Sequence, residues 1–143
     1  MLKVFIYALS EPTASEVADQ GYGYIVASLG ELGGVVPYTS FSARDSFIKE
    51  NKELIYSFTR ATQRGLDYVQ SHTTEEIAMA IQPQFKDTSL ANIEKAVKSY
   101  KDIEAWPKST TFTEESFNHL QDIMLDYGII DHKVSYKKLI YES

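Results

Sequence analysis

Glu11 and Thr13 flank Pro12 in the stretch Ser10-Glu11-Pro12-Thr13-Ala14, where residue type and spacing best suit contact with a small molecule. A carboxylate accepts hydrogen bonds and a hydroxyl can donate one, so the pair can meet a ligand from two directions. The stretch follows an apolar run over residues 4–9 and precedes a helical pattern over residues 14–20. A continuous apolar run rich in β-branched and aromatic residues reads as a strand buried on both faces. Pro12 suits a first helical turn, because its missing N–H has no partner there in any case. Ser10 or Glu11 can cap that helix. The pattern therefore puts a helix N-terminus at the carboxyl end of a buried strand, the place where open α/β sheets bind ligands. A helix N-terminus by itself favours an anion, and Glu11 at its mouth opposes one by like-charge repulsion. The expected ligand then carries N–H donors or positive charge. The competing reading leaves Glu11 as a cap and Thr13 as an ordinary first-turn residue.

Other reactive side chains are scattered. Trp106, the single tryptophan, stands at a helix end before Pro107, where it either stacks on a flat ligand or fills the core. His72, His119 and His132 have neither metal-ligand spacing nor a common helix face. The pairs Glu75-Glu76 and Glu114-Glu115 are first-turn residues that favour the helix dipole, which is poor placement for catalytic carboxylates.

The elements needed to position these groups belong to one domain's worth of chain, 143 residues. A formal net charge of −6 opposes a nucleic-acid footprint, which needs clustered Lys and Arg. With no cysteine there are no disulfides, thiolate metal sites or thiol catalysis, and no cofactor is implied. No run is long and apolar enough to span a membrane, and no export signal is visible in this chain.

Along the chain, residues 24–29 read as a second strand after a Gly21-Tyr22-Gly23 turn, completing a βαβ-like unit that implies a parallel sheet. Gly30-Glu31-Leu32-Gly33-Gly34 lacks dinucleotide or phosphate-loop spacing and reads as a flexible hinge. Residues 35–43 look extended, with Pro37 confining them to an edge or crossing strand. Helical periodicity then takes over. Ile55, Phe58, Thr62, Leu66 and Val69 form a stripe over residues 52–71. Thr73 with Glu76 makes a capping box, and Pro83 ends the helix it opens. Leu90, Ile93, Val97 and Tyr100 mark the next helix, capped by Thr88 or Ser89 and stopped at Trp106-Pro107. Thr113-Glu114-Glu115 opens another, closed by Gly128 as its left-handed cap, and residues 135–140 add a last turn. A small sheet with about five helices is lopsided: the helices carry more apolar stripe than so few strands can cover. The chain reads as part of a larger fold.

The order of these motifs resembles a known family. Glu11-Pro12-Thr13-Ala14, then Gly23 to Glu31, then Val36-Pro37-Tyr38-Thr39 is similar to the second half of NMT-type solute-binding proteins of ABC importers. The likeness continues through residues 47–51, Tyr68-Val69-Gln70-Ser71-His72, residues 103–106, Thr113-Glu114-Glu115-Ser116-Phe117, Leu120-Gln121-Asp122-Ile123-Met124 and Ser135-Tyr136-Lys137-Lys138-Leu139. That group includes nitrate, sulfonate, taurine and thiamine-pyrimidine binders.

The resemblance implies an α/β fold, a fragment of the type II periplasmic-binding-protein architecture with a small, mainly parallel sheet. Residues 1–35 would belong to the second lobe, residues 36–39 to a return hinge, and residues 40–143 to the helical part of the first lobe. The first half of such a protein would be absent here. Glu11, Thr13, Tyr38, Thr39 and Trp106 would contact a small nitrogen- or sulfur-containing solute, Tyr38 by stacking, with hinge packing as the alternative for Tyr38 and Thr39. An aminopyrimidine-like solute fits Glu11 better than nitrate or a sulfonate. The full-length relatives act outside the cytoplasm with an ABC permease and perform no chemistry. Two alternatives stand beside this reading. One is a module that pairs with itself or a partner through exposed strand edges, forming a homo-oligomer. The other is a fragment of the related pyrimidine-synthesising enzymes, which resemble these proteins but carry a cysteine-rich motif that a chain without cysteine lacks.

Overall fold

The computed structural model describes residues 5–141, so Val4, the start of the first expected strand, lies outside the described residues. Among those described, regular structure is helical throughout: α1 (Thr13–Asp19), α2 (Leu29–Gly33), α3 (Asp45–Glu50), α4 (Lys52–Ser71), α5 (Thr74–Ile81), a 3-10 turn (Gln82–Gln84), α6 (Leu90–Asp102), α7 (Glu114–Asp126) and α8 (Tyr136–Leu139).

The expected α/β fold with a small parallel sheet is therefore corrected: no strand is present among the described residues. The runs read as strands are there as irregular chain with their side chains in solvent. Ile6 is 84% exposed, Tyr24 95% and Val26 80%. The reason is that a strand's hydrogen bonds lie between chains, and β preference is realised only against neighbours on the edges and faces. An α-helix closes its bonds within its own segment, so the helical patterns form without such help. The glycine loop, expected to be a hinge, instead turns through α2 and leaves it at Gly34, whose φ of +67° is one that side chains rarely adopt.

The chain falls into two compact units. One comprises the chain up to Leu29 with Tyr68–Trp106; the other comprises Gly30–Asp67 with the chain from Pro107 onward. In the first, α5 and α6 pack through Ile77, Ala78, Ile93 and Val97, flanked by Val69, Ile81, Leu90 and Trp106. Both helices start where the sequence places caps. Thr73 Oγ1 accepts from Glu76 N at 3.2 Å while Glu76 Oε2 accepts from Thr73 N at 2.9 Å, the reciprocal capping box. Ser89 Oγ accepts from Asn92 N at 3.2 Å.

Helix α6 ends before the proline signal is reached. Ala105 N donates to Tyr100 O at 2.9 Å and Glu104 N to Lys101 O at 3.1 Å, with Glu104 at φ +51°. This is the Schellman arrangement, closed here by a residue with a side chain where glycine is usual. Glycine fills that place after α1, where Gly21 has φ +74°, and after α7, where Gly128 has φ +66° as the sequence predicts.

In the second unit Phe117 packs edge-on against Phe112 and Tyr136, and the Tyr136 hydroxyl donates to Phe112 O. Buried Gln121 on α7 binds both backbone groups of Val134, donating from Nε2 to O at 3.2 Å and accepting from N at 2.7 Å. Gln63 on α4 does the same for the chain after Pro107, donating to Lys108 O and accepting from Thr110 N, each at 3.0 Å. Phe41 meets Phe58 edge-on with ring centres 4.7 Å apart.

Candidate functional site

Glu11 lies just before Pro12, and the Glu11–Pro12 peptide is cis. Pro12 occupies the N-cap position of α1 but has no side-chain acceptor, so the capping duty passes to Glu11. Its Oε2 accepts from Ser15 N at 3.1 Å and its Oε1 from Ser15 Oγ at 3.0 Å. Oε1 also accepts from Ser99 Oγ on α6 at 3.3 Å. One half-buried carboxylate thus closes the first turn of α1 and joins it to α6. The far end of α1 is joined to the same helix by Asp19, which pairs with Lys95 Nζ at 2.5 Å. Lys95 and Ser99 stand four apart on one face of α6, matching the two ends of α1.

Thr13, the first residue of α1, is exposed. Trp106 is half-buried: its ring meets Tyr100 edge-on at 5.6 Å and packs on the α5–α6 core, while its carbonyl accepts from Gln70 Nε2 at 3.1 Å. Glu11 and Trp106 therefore reach neighbouring residues of α6, Ser99 and Tyr100, without an observed contact between them. Tyr38 and Thr39 belong to the second unit, where Tyr38 is 93% exposed and Thr39 lies open to solvent. Two surface hollows occur in that unit, one along residues 128–134 and one beside α8, and none of the five candidates lines either.

The histidines serve separate local roles. His72 stacks on Tyr68 with ring centres 3.7 Å apart, His119 Nε2 faces Gly33 O at 3.3 Å, and His132 pairs with Asp131. Among the described residues, no group of three or more His, Asp or Glu side chains converges as metal ligands would. Glu76 is the acid with a resolved perturbation. The Thr73 backbone N–H, then the Thr73 hydroxyl, hold its carboxyl below the ordinary value of 4.5.

Sequence reading missed Ser99, Lys95 and Lys101, all on α6. Lys101 Nζ donates to Val69 O at 2.9 Å and His72 O at 2.7 Å, neutralising carbonyls at the C-terminal end of α4. The four-residue spacing of Lys95 and Ser99 was a visible signal of a shared polar face. Nothing local marked Lys101, whose partners lie 29 and 32 residues away.

Comparison with known proteins gives one relationship. The chain is 35% identical over 132 residues to a protein of Bacillus subtilis (strain 168) named "Putative binding protein YtlA". The aligned region is 92% of this chain but 40% of the Bacillus protein, so the chain spans less than half the length of that relative. No family model matches the chain, and no solved structure matches it.

Proposed function

We propose that this chain is a portion of a solute-binding receptor of the ABC-importer type, acting by binding without chemistry. The observation that carries the reading is its 35% identity, along nearly its whole length, to a longer protein named for binding. The ordered motifs of the NMT-type family agree with that name and add the finer detail. In this reading residues 1–35 belong to one lobe, residues 36–39 to the return connection and residues 40–143 to the other lobe. The complete receptor works outside the cytoplasm and delivers its solute to a permease.

The solute class follows from Glu11. Its carboxylate already gathers N–H and O–H donors, and its contact to Ser99 at 3.3 Å is the longest of the three. A solute N–H can replace that hydroxyl while the cap on Ser15 stays in place. An aminopyrimidine or amine suits such an acceptor; an oxyanion is repelled by it.

The test joins this chain to the part of the Bacillus protein outside the aligned region. The chimera is then titrated calorimetrically with an aminopyrimidine, taurine and nitrate. The aminopyrimidine is expected to bind and to be recovered unchanged, with Glu11→Gln weakening it more than tenfold. Binding of taurine or nitrate in its place would overturn the solute class. Conversion of the aminopyrimidine would overturn the non-catalytic role, and silence with all three would remove the solute reading.

A further inference from the structure

We infer that the apolar extended segments on either side of α1, residues 5–9 and 24–27, are docking strands taken up between sheet neighbours and helical layers supplied by the remaining part of a longer binding protein. The inference rests on the relationship to that longer protein but not on the identity of any solute.

The segments are presented rather than merely loose. Helix α1 between them is held to α6 at both ends, by Glu11–Ser99 at 3.3 Å and Asp19–Lys95 at 2.5 Å. Each segment therefore leaves an anchored helix. Their side chains are apolar on both sides. Successive residues of an extended chain point in opposite directions, so Phe5, Tyr7 and Leu9 face one way and Ile6 and Ala8 the other. Tyr24 and Val26 oppose Ile25 and Ala27 in the same manner. All nine are exposed.

This two-sided pattern selects the occupant. A strand apolar on both faces belongs inside a sheet that has a layer above and another below. A second copy of this chain, laid edge to edge, would satisfy backbone groups and leave both faces in water. Each copy also carries a net charge of −6, which opposes such pairing. What is needed is a body with strands and covering helices of its own. The Bacillus relative has that length available, since this chain accounts for 40% of it.

The experiment is amide hydrogen exchange on the chain alone and on the ligand-free chimera described above, with the α5–α6 core as internal reference. Exchange at residues 5–9 and 24–27 should slow on the order of a hundredfold in the chimera. Equal exchange in both would overturn the inference. So would a concentration-dependent dimer of the chain alone, by light scattering, with the same protection. Ile6→Asp and Val26→Asp give a second arm that does not need the chimera to fold. Both should leave the melting temperature of the chain alone unchanged; a drop would mean that the segments pack within this chain, and the inference would fail. Protection without solute binding would uphold this inference while refuting the proposed solute, so the two failures are distinguishable.

Discussion

Glu11 accepts a hydrogen bond from Ser99 at 3.3 Å across 88 residues of sequence, and the same carboxylate caps α1 through Ser15. Local and long-range order meet in that one group. Replacing Glu11 by Ala should cost about 1 kcal/mol, the usual loss for a helix cap. Ser99→Ala, which removes an exposed contact and leaves the cap intact, should cost less. Urea denaturation of both single variants and the double variant measures the coupling; strict additivity would show that the 3.3 Å contact carries no energy.

Acid should open the start of α5. Glu76 binds its proton less readily when folded than in an unfolded chain, because the Thr73 N–H and hydroxyl favour its charged form. The folded state therefore holds fewer protons, and stability rises with pH through this window. The contribution is complete above the ordinary carboxylate value of 4.5 and is lost as pH falls through the lower, folded value. Thr73→Val and Glu76→Gln should each flatten the acid limb of a pH-stability curve. An unchanged limb in both would show that the capping box does not couple to pH.

Two positions with positive φ should respond in opposite directions. Glu104 holds φ +51° with a side chain, and Gly128 holds φ +66° without one. Glu104→Gly should stabilise the first unit by up to about 1 kcal/mol, and Gly128→Ala should destabilise the second by about the same amount. Thermal melts of both variants check the signs.

Gln121 stands in for a neighbouring strand by binding both backbone groups of Val134. Gln121→Leu leaves that buried N–H and C=O unsatisfied and should cost about 1–3 kcal/mol. The Val134 amide should exchange faster in the variant. If its exchange is unaltered, the two bonds do not hold residue 134 in place.

How much of this was legible in advance depends on where each interaction lies along the chain. The Thr73–Glu76 box, the Ser89 cap, the apolar stripe of α6 and the Gly128 stop are contacts between residues a few positions apart, so the order of side chains determined them. The Schellman stop at Glu104 was harder to see, because the residue there is not glycine. Glu11 shows the boundary within a single side chain. Its helix-capping capacity was readable from its place beside Pro12, whereas its bond to Ser99 existed only once α1 lay on α6. Trp106 was open between stacking and core until Tyr100 and the α5–α6 cluster met its ring. Residues 5–9 and 24–27 carry strand composition but no strand, since pairing needs a second segment at a set distance and composition cannot supply it. Short-range hydrogen bonding was written into the residue order; partner choice across the chain was decided by tertiary packing, where distant groups either meet or remain in water.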